Sequence, residues 1–123
     1  MRSSLRDLVV TRAGARCEYC HLHQDETFYS FYVEHVIPRQ HGGSDSPDNL
    51  ALSCRRCNLY KGPNQTAIDP GSGSIETLFN PRLQDWDEHF GRFGEEIRGI
   101  TPTARATVRL LRMNDDPRAD LRR

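Results

Sequence analysis

Two C-x-x-C pairs constrain this chain more than any other feature of its sequence. Cys17 and Cys20 form the first pair, Cys54 and Cys57 form the second, and residues 21–53 separate them. Four thiolates at about 2.3 Å satisfy a tetrahedral zinc ion and leave no ligand position open, which is typical of a structural site. The pattern therefore predicts one closed zinc site that joins two distant parts of the chain.

The composition explains why the chain needs such a site. Of its 123 residues, 36% are hydrophobic and 28% are charged, so the apolar core is small. A structural metal commonly supplements a core of this size. A redox pair is a weaker interpretation of the cysteines, because a thioredoxin-like C-x-x-C needs a βαβ context that the sequence does not show.

Charge and hydropathy limit the class of protein further. The formal net charge is zero, which argues against a globally basic nucleic-acid-binding protein but leaves room for a local basic patch. Residues 1–17 have no signal-peptide pattern, and no stretch approaches the ~20 apolar residues of a membrane span. We therefore expect a cytoplasmic protein without membrane contact, where reduced thiols favour a metal over disulfides. The sequence does not predict an oligomeric state.

The hydrophobic pattern predicts an α+β chain around a ββα unit. An amphipathic pattern predicts a first helix, and aromatic and β-branched residues predict a strand that ends at a proline. A loop, a second short strand and a helix follow. The predicted elements are a helix over residues 4–16, a strand over 27–37, a loop over 39–48, a strand over 49–53 and a helix over 54–61.

The C-terminal half is expected to cover this unit. A turn-rich connector spans residues 64–74, and the covering segment spans residues 75–113. That segment contains a short strand within 93–100 and a helix from Thr101 to about residue 113, with Thr101 as its cap. The charged tail from Asn114 is expected to be frayed. Residues 1–123 are thus predicted to form a single domain whose motif core is 17–62.

The loop between the predicted strands is flanked by residue types that can hydrolyse a phosphodiester bond. Such an enzyme activates water, for which a neutral histidine serves, and stabilises charge on the phosphate, for which a divalent metal serves. His35 is the candidate base, and Glu34 and Asn58 supply the oxygen ligands that Mg²⁺ or Mn²⁺ prefers. Asn49 can hold the loop or orient the His35 ring.

These residues form a pattern that resembles the HNH endonuclease motif in its zinc-binding form. The pattern consists of Glu34-His35-Val36-Ile37-Pro38, Gly42-Gly43, Asp48-Asn49-Leu50 and Cys54-x-x-Cys57-Asn58-x-x-Lys61. The resemblance implies a ββα-metal (His-Me finger) fold and metal-dependent cleavage of DNA. It makes His35 the general base, Asn49 the middle residue of the motif and Asn58 the third, which is an H-N-N variant. Glu34 takes the place of the acidic metal ligand, where many members have Asp.

Basic side chains close to the motif are candidate phosphate contacts. They are Arg39, Arg55, Arg56 and Lys61. A phosphate backbone would attract such a cluster, although a solvated charged face would contain the same residues. DNA is therefore the expected partner of this region.

Two other function classes compete with a DNA endonuclease. A zinc-dependent nucleic-acid-binding module without catalysis would need only the cysteines, and leaves Glu34, His35 and the two asparagines without a reason. A zinc deaminase would need H-x-E and P-C-x-x-C, whereas here Glu34 precedes His35 and Ser53 precedes Cys54. The expected cofactors are a structural Zn²⁺ and a catalytic Mg²⁺, Mn²⁺ or other divalent ion.

Overall fold

The computed structural model describes residues 3–115 and 118–122. In these residues the strands pair into three antiparallel two-stranded sheets, β1–β2, β3–β4 and β5–β6. This architecture confirms the predicted α+β class. The helices are α1 (Ser3–Arg12), α2 (Arg55–Lys61), α3 (Trp86–His89), α4 (Pro102–Leu110) and α5 (Arg118–Leu121), and the strands are β1 (Tyr32–His35), β2 (Leu50–Ser53), β3 (Thr66–Ile68), β4 (Ile75–Thr77), β5 (Phe90–Phe93) and β6 (Glu96–Gly99).

The predicted ββα unit is present. Strands β1 and β2 pair with His35 opposite Leu50 and Glu34 opposite Ala51. Helix α2 follows β2 directly and begins after Cys54, whose side chain accepts a hydrogen bond from the backbone N–H of Cys57. The bounds of β2 and α2 agree with the sequence-based prediction to within one residue, because Pro, Gly and the cysteine pair mark them clearly.

Strand β1 is shorter than the predicted strand over residues 27–37. The Gln24 side chain accepts a hydrogen bond from the Phe31 N–H at 2.7 Å and donates to the Tyr29 carbonyl at 2.6 Å. These two side-chain hydrogen bonds satisfy backbone groups of the segment before β1, so this segment does not pair with a neighbouring strand there. Helix α1 is also shorter than predicted, since Gly14 and Ala15 adopt positive φ angles of 63° and 58° that end it.

The C-terminal half contains two hairpins that the sequence did not predict in full. The turn-rich connector includes β3, which pairs with β4, and β5 precedes the predicted short strand to complete the second hairpin. At the turn between β3 and β4, the buried Asp69 accepts two hydrogen bonds from Arg105 and one from the Gly71 N–H. Short strands with polar connectors carry too weak an alternation to be recognised from sequence.

The predicted frayed tail is wrong for the described residues 118–122. This segment forms α5 and returns to the core, where Arg118 and Arg122 are each only 2% exposed. The packing partners explain the difference, because Arg118 donates to sulfur and backbone carbonyl acceptors that only the folded chain brings together.

One cluster of buried residues connects the two halves. It extends from Val9 on α1 through the four cysteines to Met113, and includes the predicted covering residues Phe79 and Phe90. That all of residues 1–123 form a single domain stays a prediction. Within 3–115 and 118–122, no helix has the length and apolar character that crossing a membrane requires.

Candidate metal and catalytic sites

The four cysteines meet as predicted. Their sulfur atoms all lie within 4.8 Å of one another, and all four side chains are buried. Cys17 and Cys20 come from a tight turn after α1, and Cys54 and Cys57 come from the start of α2. Backbone N–H groups point at the sulfurs in both turns, from Cys20 to Cys17 at 3.5 Å and from Cys57 to Cys54 at 3.4 Å.

This geometry fits a zinc ion. Sulfurs at about 2.3 Å from a shared tetrahedral ion lie about 3.8 Å apart, and the Cys20 and Cys54 sulfurs are 3.7 Å apart. Without a cation, burial raises the pKa of the Cys17 and Cys57 thiols, while hydrogen bonds from the Cys17 and Cys20 thiols lower the pKa of Cys54. A buried group of four sulfurs therefore needs a divalent cation to become fully ionised.

Arg118 closes the cysteine cluster from the C-terminal side. Its Nη1 lies 3.1 Å from the Cys57 sulfur and 3.7 Å from the Cys54 sulfur. Its other terminal nitrogen donates to the carbonyls of Leu111 and Arg112 at the end of α4. A zinc ion with four thiolates carries two net negative charges, so a buried guanidinium at this point partly neutralises the centre.

Glu34 lies in a buried polar pocket rather than at an open surface. It is 8% exposed, and its Oε1 has no hydrogen-bond partner among the described residues. Tyr19 Oη lies near Glu34 and lowers the pKa of its carboxyl, and this buried hydroxyl also has no hydrogen-bond partner among the described residues. Burial raises the pKa of Glu34 to about 7, and Lys61 and Tyr19 only partly offset the rise. An orphaned carboxylate oxygen in such a pocket fits a ligand of a divalent cation.

Helix α2 lies beside Glu34 and forms one wall of its pocket. Lys61 Nζ donates to the Val36 carbonyl at 2.9 Å and lies 3.9 Å from Glu34 Oε2. Asn58 is three residues before Lys61, so the two side chains share a face of α2, and that face is turned towards β1. Asn58 is half-buried and shares its helix face with Lys61, which lies 3.9 Å from Glu34.

His35 has very different surroundings from its neighbour. Its Nε2 lies 2.7 Å from the Asp45 Oδ1, and the same oxygen accepts a hydrogen bond from Arg39 Nε at 2.8 Å. The His35 side chain is 20% exposed, at the end of β1 where the loop begins. The ring is therefore held at one nitrogen and reachable from solvent.

Asn49 holds the loop, which was one of its two predicted roles. Its amide donates to the Ile37 and Ser44 carbonyls at 2.9 and 2.8 Å, and its oxygen accepts from the Ile37 N–H at 2.9 Å. Gly43 passes so close that a Cβ there would lie 1.6 Å from the Ile37 oxygen. Asp45 contacts the ring of His35 instead. The other predicted role of Asn49, a direct hydrogen bond that orients the His35 ring, is therefore not among these contacts.

The candidate phosphate contacts lie in three different environments. Arg39 and Arg55 are exposed, and the Arg55 guanidinium lies 5.5 Å from the centre of the Tyr29 ring. Arg56 is half-buried. Lys61 is only 2% exposed and faces Glu34, so its predicted contact with phosphate does not fit its position.

Comparison with known proteins identifies the segment that carries these sites. The sequence model of the HNH endonuclease family matches residues 17–64, which include both cysteine pairs, the β1–β2 hairpin and α2. Residues 17–64 form a domain of the HNH endonuclease family. The predicted family and ββα-metal fold class are thereby confirmed.

Two curated proteins are similar to the chain in sequence. The Septu protein PtuB of Bacillus thuringiensis is 27% identical over 106 residues, which cover 80% of this chain and 37% of PtuB. The CRISPR-associated endonuclease Cas9 of Corynebacterium diphtheriae is 35% identical over 68 residues, which cover 54% of this chain and 6% of that protein. The chain thus spans well under half the length of either relative. No solved structure matches it significantly.

Sequence reasoning missed three residues of these sites. Tyr19 stands between two cysteines of the cluster and carried no signal of its proximity to Glu34. Asp45 lies in a polar loop, where an acid ten residues after the histidine is the only sign of their contact. Arg118 belongs to a charged tail whose composition resembles a solvated segment.

Proposed function

We propose that the HNH domain is a metal-dependent endonuclease that hydrolyses phosphodiester bonds of DNA. The observation that carries this proposal is the contrast between two neighbours on β1. Glu34 is buried, with an oxygen that lacks a partner among the described residues. His35 is reachable from solvent, with Nε2 held by a carboxylate. The first arrangement suits a cation ligand, and the second suits a group that accepts a proton.

Glu34 and Asn58 would hold the divalent ion. Carboxylate and amide oxygens suit Mg²⁺ or Mn²⁺, and so few protein ligands leave positions for phosphate and water. When bound, such an ion stabilises the charge that develops on the phosphate and on the leaving oxygen. Lys61 keeps the carboxylate in place through its contacts with Glu34 and the Val36 carbonyl.

His35 would act as the general base. Its Nδ1 accepts a proton from the attacking water as the oxygen of that water bonds to phosphorus and the bond to the leaving oxygen breaks. Asn49 keeps the loop beside His35 in place through its three backbone hydrogen bonds. The cysteine cluster takes no part in the reaction, because a closed tetrahedral site offers no position to substrate.

DNA would contact the basic side chains that remain exposed or half-buried. Arg39 is at the loop, and Arg55 and Arg56 are on the first turn of α2. Contacts of this kind fix the orientation of the duplex without reading its sequence. We therefore infer low sequence specificity for this domain on its own.

Nicking of supercoiled plasmid tests this function. The purified chain with Mg²⁺ or Mn²⁺ should convert supercoiled to open-circular DNA, and His35→Ala should reduce the rate ~10²–10⁴-fold, the usual cost of losing a general base. His41→Ala is the matched control, since His41 is an exposed histidine of the same loop. Bound zinc and the far-UV spectrum should be unchanged in both variants.

Equal nicking by the wild-type chain and the His35→Ala variant would remove His35 from the reaction. Nicking by neither chain, together with zinc-dependent retention of DNA, would replace the endonuclease by the non-catalytic binding module.

A further inference from the structure

The loop of residues 39–49 contains an acidic side chain, Asp45, that contacts the His35 ring. Asp45 Oδ1 lies 2.7 Å from Nε2 of the ring, and Arg39 holds the same oxygen at 2.8 Å. We propose that Asp45 is a positioning residue that fixes the His35 ring with the proton on Nε2, so that Nδ1 is the nitrogen that accepts the proton of water. This role rests on the proposed function of His35 as the general base.

The chemistry of the pair sets the direction of the hydrogen bond. Arg39 and then His35 lower the pKa of Asp45, so its carboxylate is ionised at neutral pH. An ionised carboxylate can only accept hydrogen bonds, so the neutral ring must donate from Nε2. The lone pair of the neutral ring is then on Nδ1. The hydrogen bond that one ring nitrogen makes decides which nitrogen of a histidine can accept a proton, and here the bond at Nε2 leaves Nδ1 as that nitrogen.

The backbone around Asp45 is held tightly enough for this task. The Ser44 carbonyl accepts a hydrogen bond from the Asn49 amide at 2.8 Å. On the other side, the Ser46 side chain accepts from the Asp48 N–H at 3.3 Å. Asn49 therefore acts on the reaction indirectly. Its hydrogen bond fixes the backbone of Ser44, and this fixes the position of the next residue, Asp45, which orients the His35 ring.

A contribution to stability does not account for the pair. The Asp45 side chain is 68% exposed, and exposed ion pairs contribute little to folding. Orientation of a reacting group has a much larger effect, because a misplacement of about 1 Å can reduce a rate ~100-fold. Asp45 should consequently matter for the ring and for the rate, and hardly for the fold.

The tautomer of His35 tests the proposal without any activity. Protein with ¹⁵N-labelled histidine is measured at about pH 8, where an imidazole is neutral, and His35→Ala assigns the His35 signals by their loss. The wild-type spectrum should show a protonated Nε2 and an unprotonated Nδ1. Asp45→Ala, which removes the acceptor of the Nε2–H bond, should shift the population towards a protonated Nδ1.

Kinetics with a matched variant complete the test. Asp45→Ala should lower kcat roughly 10- to 100-fold with KM and the melting temperature nearly unchanged. Asp48→Ala removes the same charge from the same loop without touching His35 and should leave both the tautomer and kcat as in the wild type.

Three results would overturn the assignment. A wild-type ring with its proton on Nδ1 contradicts the hydrogen bond itself. A changed tautomer with unchanged kcat in Asp45→Ala, while His35→Ala is inactive, removes the positioning role and leaves the general base intact. Full activity of His35→Ala refutes the proposed role of His35 as the general base. The positioning role of Asp45 is then refuted as well, because it depends on that base.

Discussion

The buried carboxylate of Glu34 leads to a prediction about stability that needs no activity. Its pKa is about 7 in the folded chain, against an ordinary value of 4.5. As pH rises from the ordinary value to the folded one, the unfolded chain loses its proton first, so the unfolding free energy falls across this window. The pKa difference corresponds to a destabilisation on the order of 3 kcal/mol above about pH 7.

Replacing Glu34 by glutamine should therefore stabilise the protein. Glutamine keeps the shape of the side chain and resembles the protonated carboxyl, so it avoids the burial of a charge. In zinc-loaded protein without Mg²⁺ or Mn²⁺, Glu34→Gln should be more stable than the wild type at about pH 8, by as much as ~3 kcal/mol. The advantage should be about 1 kcal/mol smaller at about pH 6, where most of the folded wild-type Glu34 is protonated.

Urea denaturation at the two pH values measures this difference. Glu95→Gln is the control, because Glu95 is an exposed acid on the β5–β6 turn and its replacement should change the unfolding free energy little at either pH. Added Mn²⁺ extends the test: a ligand at 100 times its Kd stabilises by about 2.7 kcal/mol. The wild type should gain this stabilisation at about pH 8, and Glu34→Gln should lose most of it.

Two outcomes would refute the reasoning about Glu34. If Glu34→Gln is no more stable than the wild type, or if its advantage is the same at both pH values, burial does not set the ionisation of this carboxyl. If Mn²⁺ stabilises both proteins equally, Glu34 is not a ligand of the added ion. If Glu34→Gln is more stable and also loses the stabilisation by Mn²⁺, the buried charge of Glu34 lowers the stability of the fold but is needed for metal binding.

The zinc centre supports two further predictions. Cys54→Ser, or removal of zinc by a strong chelator, should unfold the chain, because zinc binding of ~10–16 kcal/mol exceeds the stability of a domain of this size; an unchanged far-UV spectrum and melting curve would contradict this. Arg118→Leu should weaken zinc binding about 10- to 100-fold, the usual cost of losing a group that contacts a metal ligand, and zinc transfer to a colorimetric chelator measures it. Arg109→Leu, at an exposed position of α4, should bind zinc as the wild type does, and equal zinc affinity in both variants would show that Arg118 has no such effect.

The sequence predicted the cysteine cluster and the ββα unit because these depend on local rules. Tetrahedral coordination requires the two C-x-x-C turns to meet, whatever lies between them. Cys54 caps α2 and Gly62 ends it, so the bounds of that helix are also visible in the residues themselves. These features need no knowledge of distant contacts.

The surroundings of Glu34 and His35 were not predictable in the same way. Alternation along β1 placed their side chains on opposite faces, but it did not indicate which face is closed. Tyr19 and Lys61 close the Glu34 pocket from other elements of the chain, and Asp45 reaches His35 only after the loop has folded back. Hairpins β3–β4 and β5–β6 escaped full prediction for a related reason, since strands of three or four residues acquire their stability from the packing around them.

The same contacts tie the catalytic proposal to the zinc centre. Tyr19 stands between Cys17 and Cys20 and reaches the Glu34 pocket, so the first cysteine turn forms one wall of that pocket. The second turn begins α2, which carries Lys61 to Glu34 on its opposite end. Because the four sulfurs of the two turns lie within 4.8 Å of one another, a single cluster sets the distance between the two walls. Under the proposed function, the cysteine cluster would therefore influence the Glu34 site through geometry alone, since a closed tetrahedral site offers no position to substrate.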